Sequence, residues 1–100
     1  AVMALKISYW TASRTNPNVP GAVISTESLT LSGTHTQSGT TPANAVFVCL
    51  DATENAAFDY SSSNPTAVAG ATGTSAYIPA NGNRWMDAAT GFKVSGIQAT

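Results

Sequence analysis

The sequence predicts a single all-β domain, a small antiparallel β-sandwich or barrel of about seven short strands. Short segments that are apolar, or that alternate between apolar and polar residues, are separated by clusters of Gly, Pro, Asn, Ser and Thr. No segment sustains the 3.6-residue periodicity of an amphipathic helix. A chain of 100 residues suffices for one hydrophobic core, so residues 1–100 are expected to form one sandwich domain with a flexible N-terminal arm.

The first predicted strand, Ala4–Trp10, has the clearest alternation. Leu5, Ile7 and Tyr9 share one face, and Trp10 is directed to the other because successive side chains on a strand alternate. At most one of Tyr9 and Trp10 can therefore lie in the core. The remaining strands are predicted at Ala22–Ser32, Ala45–Leu50, Ala56–Tyr60, Ser75–Ile78, Arg84–Asp87 and Phe92–Ile97, with Thr66–Ala71 as a further extension.

Turn signals separate these strands. Asp51–Asn55 is predicted to be a hairpin turn, and Asn81-Gly82 is a favoured hairpin dipeptide. Two longer stretches, Thr11–Gly21 and Gly33–Asn44, are predicted loops, and loops of that length are often functional or become ordered on a partner.

One predicted strand has an awkward polar residue. Glu27 shares a face with Leu29 and Leu31, so we expect a bulge or a break near Ser28.

Composition favours association. Only 9% of the residues are charged, against about 25% in a typical soluble domain, and the formal net charge is −1. Weak charge repulsion between copies promotes self-association, so a homo-oligomer is expected. The four basic residues are scattered, which argues against nucleic acid as a partner. No apolar stretch approaches the ~20 residues of a membrane helix, so no membrane partner is expected either.

The inventory of reactive residues argues against an enzyme. The single His35 lies in a loop, and Cys49 lies in an apolar run that predicts a buried, inert thiol. No serine has the Gly-x-Ser-x-Gly context of a nucleophile elbow. Asp51 and Glu54 flank a turn; a calcium site there is an alternative, although ordinary turn chemistry explains both residues. We therefore predict no catalytic residues, no cofactor and no metal.

The aromatic residues are more informative. Trp10 and Trp85 both lie on predicted strands, next to Tyr9 and Met86 respectively. Because neighbouring side chains on a strand face opposite sides, only one residue of each pair can face the core. An exposed Trp on a strand can anchor a protein interface or stack against a sugar ring. The alternative is that each Trp covers an open end of the sandwich.

Three C-terminal runs carry a resemblance to a known class of proteins. They are Ser63-Asn64-Pro65-Thr66-Ala67, Ala76-Tyr77-Ile78-Pro79-Ala80-Asn81-Gly82 and Gly91-Phe92-Lys93-Val94-Ser95-Gly96-Ile97-Gln98-Ala99. In these runs the chain resembles small virion proteins of tailed bacteriophages. Lys6-Ile7-Ser8-Tyr9-Trp10 and the stretch Ser38–Ala45 fit the same pattern, so the likeness covers about two thirds of the chain.

The resemblance implies a compact β-sandwich that binds the major capsid protein and stabilises the shell. Such decoration, or cement, proteins are commonly homotrimers on the capsid surface. The Ala1-Val2-Met3 start fits removal of an initiator Met from a chain made in the host cytoplasm. The residues expected at the interface are Ala1, Val2, Met3, Trp10, Arg14 and Trp85, within the segment Ala1–Ala4, the loop Thr11–Gly21 and the two Trp positions.

Two alternatives stay open at this point. The chain could occupy another position in the particle, in the neck, the tail or a head fibre. It could instead be a carbohydrate-binding module in which Trp10 or Trp85 is the stacking platform.

Overall fold

The computed structural model describes residues 3–99, which form eight strands in two antiparallel sheets of four. The strands are β1 (Ala4–Ala12), β2 (Pro20–Thr30), β3 (Thr36–Gln37), β4 (Phe47–Ala52), β5 (Ala56–Ser61), β6 (Ala76–Ile78), β7 (Asn83–Asp87) and β8 (Lys93–Gln98). Sheet A has the order β2-β1-β4-β7, and sheet B has the order β3-β8-β5-β6. The predicted all-β fold class is confirmed.

The core lies between the two sheets and follows the predicted alternation. Leu5, Ile7 and Tyr9 of β1 are all buried, whereas Trp10 is directed away from the core. The other inward side chains of the main cluster are Leu29, Leu31, Val48, Leu50, Ala52, Ala56, Phe58, Ile78 and Val94. Glycine lets the sheets approach most closely at Gly96, where a Cβ would lie 2.8 Å from Leu5 Cδ2.

The predicted hairpin turns are wrong, because the chain changes sheet at each of them. Asp51–Asn55 links β4 of sheet A to β5 of sheet B, and Asn81-Gly82 links β6 of sheet B to β7 of sheet A. The turn between β7 and β8 also crosses from sheet A to sheet B. Asn81 still adopts the positive φ, 62°, that its turn requires. The turn signals were correct, but local sequence does not specify which sheet the next strand joins.

Three further expectations need correction. The predicted strand at Thr66–Ala71 is absent, and the predicted loop Gly33–Asn44 contains β3, which pairs with β8. The irregularity in β2 is not near Ser28. It lies at Ile24, the extra residue where the register passes from Tyr9↔Ser25 to Trp10↔Val23, and a second shift follows between Trp10↔Val23 and Ala12↔Pro20. Glu27 needs no break, since Gly39 N donates to its Oε1 at 2.8 Å and stabilises the carboxylate at the sandwich edge.

The segment of residues 62–75 covers the outer face of sheet B. Ala67 is buried with Ala57 and Ile97 in a small second cluster. Ser95, which is fully buried, accepts a hydrogen bond from Ala67 N at 3.0 Å and contacts His35 Nδ1 at 3.1 Å. This face of the molecule is therefore occupied by the chain itself.

Both ends of the described chain meet at the β4–β5 turn. Thr53 N donates to Ala4 O at 3.0 Å, and Ala99 N donates to Asn55 O at 2.9 Å. Across residues 3–99 no helix is sufficiently long and apolar to span a bilayer.

Candidate binding face

The outer face of sheet A is the one broad sheet surface that residues 3–99 leave uncovered, and its side chains form three rows across the strands. The rows follow from the antiparallel registers of β2, β1, β4 and β7. The first row is Ser28, Lys6, Asp51 and Asn83; the second is Thr26, Ser8, Cys49 and Trp85; the third is Val23, Trp10, Phe47 and Asp87. The face is thus polar along the first row and becomes more apolar toward the third row.

The two tryptophans meet on this face although their strands are not adjacent. Their ring centroids are 5.5 Å apart, with the ring planes tilted by 56°. Trp10 Nε1 donates to Ser8 Oγ at 2.8 Å, which turns the indole back along β1 toward Trp85. The pair therefore reaches across β4, and the hydrogen bond fixes one of its two rings.

Cys49 lies between Ser8 and Trp85 in the register, so its side chain is on the outer face rather than in the core. It is nevertheless only 4% exposed, as expected if the two indoles cover it. Burial raises the pKa of the Cys49 thiol to about 11, and the negative charge of Asp51 adds to the effect. The prediction of a buried thiol is confirmed, and the raised pKa keeps the group protonated at neutral pH.

The aromatic pair has exposed apolar neighbours. Trp85 is 44% exposed and Val23 is 50% exposed, while Trp10 and Phe47 are half-buried. Large apolar side chains at this exposure are common singly, but a contiguous group on an uncovered sheet face indicates an interaction surface. We call Val23, Trp10, Phe47 and Trp85 the aromatic patch.

Beside the aromatic patch are two shallow depressions centred on Lys6 and Asp51. The larger, of about 520 Å³, is also lined by Thr26, Glu27 and Ser28. The smaller, of about 390 Å³, extends toward the turn that contains Asn81 and Gly82. Both are open and are lined mainly by residues with polar groups, so they provide hydrogen-bonding groups next to the aromatic patch but do not form an enclosed ligand pocket.

The residues predicted at an interface do not all lie together. Trp10 and Trp85 share the aromatic patch, whereas exposed Arg14 lies in the loop after β1 and Met3 precedes the opposite end of that strand. Arg14 lies eleven positions after Met3 in the chain, a span of up to about 36 Å if the chain is extended. Ala4 is buried at the start of β1, and Ala1 and Val2 lie outside the described residues.

His35 approaches a serine, which the sequence did not indicate. Its Nδ1 lies 3.1 Å from Ser95 Oγ, and Asp59 is directly opposite Ser95 on the neighbouring strand. However, Ser95 is fully buried beneath residues 62–75, and its Oγ accepts the hydrogen bond from Ala67 N. The arrangement joins β8 to its covering segment and gives a substrate no access to the hydroxyl.

Within residues 3–99, no group of three His, Cys, Asp or Glu side chains is arranged to hold a metal ion. Asp51 is exposed on the outer face of sheet A, and Glu54 is half-buried in the turn that follows β4. Comparison with protein-family models, with curated proteins and with solved structures finds no match to this chain.

Sequence reasoning identified both tryptophans but missed Val23 and Phe47. Phe47 lies in a run of apolar residues, Ala45–Leu50, in which alternation gives no contrast between the two faces. Strict alternation from Ser25 would place Val23 on the inward face. Val23 joins the patch only because the bulge at Ile24 shifts its side chain to the outer face. Neither residue can be assigned to the patch without knowing how the strands pair, and the sequence alone does not provide this.

Proposed function

We propose that this protein is a non-enzymatic structural component of a bacteriophage virion, a decoration protein that binds the major capsid protein and stabilises the shell. The observation that carries the docking role is the aromatic patch on an uncovered, weakly charged sheet face. The resemblance to small tailed-phage virion proteins supports the choice of partner.

The chemistry of the face suits a protein partner. Trp residues are enriched among the side chains that contribute most to protein interfaces, and the energetic centre of an interface is apolar with a polar rim. Here the aromatic patch supplies the apolar centre, and the row containing Lys6 and Asp51 supplies a polar border. Many copies on one shell make a modest affinity per copy sufficient.

The same geometry is less suited to a sugar platform. Stacking on a flat sugar face is best served by exposed rings that lie in one plane, whereas Trp10 and Trp85 are tilted by 56° and cover part of each other. The polar depressions beside them are the feature that favours the carbohydrate-binding alternative. Quenching of Trp fluorescence by oligosaccharides would support that alternative over the proposed function.

The first test is the copy number of this protein in purified particles from its source, measured by quantitative mass spectrometry against the major capsid protein. A fixed simple ratio with copies in the hundreds is expected for a decoration protein. A few to a few dozen copies would place the chain in the neck, the tail or a head fibre. Absence from particles would refute the virion proposal.

The second test is re-binding of the purified protein to particles that lack it. Trp85→Ala should reduce the bound fraction at least about tenfold, because loss of an interface anchor costs 2 kcal/mol or more. Tyr77→Ala is the matched control, since Tyr77 is equally exposed, at 44%, but belongs to sheet B. Equal binding by the two variants would refute docking through the aromatic patch, and matching thermal melts would exclude unfolding.

A further inference from the structure

We infer that two copies of this chain associate through the outer edge of β2, pairing their β2 strands antiparallel to form one continuous eight-stranded sheet. This inference is independent of the proposed function. It rests on the four strand edges of the sandwich, three of which are short or blocked while the fourth is long and open.

An exposed strand edge presents backbone N–H and C=O groups that can pair with another strand, and native proteins usually block such edges. In sheet B the edge strands are β3, of 2 residues, and β6, of 3 residues, so both are too short to pair extensively. At the β7 edge of sheet A, the guanidinium of Arg84 lies 5.6 Å from the centre of the Phe58 ring. An inward-directed charge of this kind opposes pairing at that edge.

The β2 edge is the longest of the four, although it also carries an inward-directed charge, Glu27, and a bulge at Ile24. The strand is 11 residues long, and no strand within residues 3–99 pairs with its outer side. After Pro20 it contains no Pro, Lys or Arg. Its one charged side chain, Glu27, is half-buried and accepts a hydrogen bond from Gly39 N.

The hydrogen bonds of β2 establish which of its backbone groups face outward. Leu31 N donates to Met3 O, so the groups of Leu31 and of alternate residues before it point toward β1. The groups of Thr26, Ser28 and Thr30 therefore point away from β1. Thr30 O accepts a hydrogen bond from Thr36 Oγ1 at 3.4 Å, which agrees with this assignment and leaves Thr26 and Ser28 at the open part of the edge.

A second copy is the occupant that this edge fits. Antiparallel pairing of one strand with itself is self-complementary about a two-fold axis, so each copy uses the same surface. Apart from Glu27, whose carboxylate already accepts a hydrogen bond from Gly39 N, the residues of β2 are uncharged, and the net charge of −1 gives little repulsion between copies. An acidic or basic partner would find no complementary charge here.

Charge and strand length together select the register, because an axis at Ser28 would also keep the carboxylates apart, but Thr26 lies nearer the middle of β2 and gives the longer overlap. A two-fold axis at Glu27 would bring two carboxylates opposite each other, which destabilises a strand pair. An axis at Thr26 places Thr26 opposite Thr26 of the second copy and Glu27 opposite Ser25. The two Thr26 Cα atoms would then be about 5.5 Å apart, as in a hydrogen-bonded antiparallel pair.

This register gives a charge-swap test. The molar mass of the wild-type protein, measured by light scattering and by sedimentation across a concentration series, should rise from monomer to dimer. Thr26→Lys and Thr26→Glu each place like charges across the axis, and each should raise the dissociation constant at least about fivefold. An equimolar mixture of the two variants should restore the dimer.

Asn83→Lys is the control, because Asn83 lies at the opposite edge of the same sheet face and should leave dimerisation unchanged. A wild-type protein that stays monomeric at the highest concentration would refute the inference. So would a dimer that Thr26→Lys does not weaken, or a mixture that remains monomeric. Circular dichroism of each variant establishes that its fold is retained.

Discussion

At the scale of single residues, the structure contains one buried and one half-buried tyrosine, Tyr9 and Tyr60, whose hydroxyls differ in environment. Within residues 3–99, the Tyr9 hydroxyl is the one fully buried side-chain polar atom that makes no hydrogen bond of normal geometry, although the hydroxyls of Ser38 and Thr41 are near enough to interact with it. The Tyr60 hydroxyl contacts Thr41 Oγ1 at 2.7 Å and accepts from Ala89 N at 3.0 Å. The cost of desolvation is therefore better compensated at Tyr60 than at Tyr9.

We expect the two Tyr→Phe substitutions to have different effects. Tyr9→Phe removes a buried hydroxyl that makes no hydrogen bond of normal geometry, so stability should be unchanged or rise by about 1 kcal/mol. Tyr60→Phe removes a hydrogen-bond partner of Thr41 Oγ1 and of Ala89 N, so it should destabilise the fold by about 1–3 kcal/mol. Urea unfolding of both variants measures the difference; equal losses would show that the Tyr9 hydroxyl is satisfied in solution.

Cys49 gives a prediction for alkaline pH. Burial raises the pKa of its thiol from an ordinary value of 9.0 to about 11. Between these values the unfolded chain loses the proton and the folded chain keeps it. The stability that the thiol contributes is thus fully present below pH 9 and is lost as pH rises through 11, by roughly 2 kcal/mol.

The matched variant is Cys49→Ala. Burial also raises the pKa of Tyr9, but Tyr9 is present in both proteins, so the difference between their pH profiles reports the thiol. Unfolding free energies from pH 7 to pH 11 should converge as the wild-type protein loses its advantage. Parallel profiles would contradict the pKa assigned to Cys49.

At the scale of elements, the β1–β2 hairpin depends on one close backbone approach. A Cβ at Gly21 would lie 2.6 Å from the carbonyl oxygen of Ala12, and backbone atoms cannot move aside without breaking the pairing of Ala12 with Pro20. Gly21→Ala should therefore destabilise the protein by about 1–3 kcal/mol. Each kcal/mol corresponds to roughly 4–8 °C in the melting temperature of a domain this size.

Gly33→Ala is the control for that substitution. No atom lies within 4 Å of a Cβ built at Gly33, and its φ is not positive. Its melting temperature should match the wild-type value. If the melting temperature of Gly21→Ala also matched the wild-type value, the β1–β2 hairpin would have relaxed around the added methyl group, contrary to this prediction.

The elements also show what the sequence could and could not predict. Alternation correctly separated Tyr9 from Trp10, because burial on one face of a strand leaves a local pattern. The contact between Trp10 and Trp85 was not predictable, since it depends on β4 lying between β1 and β7. Likewise, Asn81-Gly82 marked a turn, but hairpin and sheet-crossing turns use the same residues, and only the packing of the two sheets distinguishes them.

At the scale of the whole molecule, the sheet-crossing turns make most strand pairs non-local. Only β1 and β2 are both consecutive in the chain and paired within sheet A. Loop-closure entropy must be lost before such distant pairs form, so folding is expected to take milliseconds to seconds. Stopped-flow refolding monitored by Trp fluorescence tests this; completion within microseconds would indicate a more local folding mechanism than this topology allows.

The meeting of both chain ends at the β4–β5 turn has a practical consequence for the whole molecule. Ala4 and Ala99 hydrogen-bond to residues of one turn, Thr53 and Asn55, while the β1–β2 loop that contains Arg14 projects from the far end of β1. A fluorescent protein or an epitope tag joined just before Ala4 or just after Ala99 would leave the sandwich at that shared end. The domain is thus suited to insertion as a cassette into a loop of a carrier protein, with its hairpin tip directed away from the host.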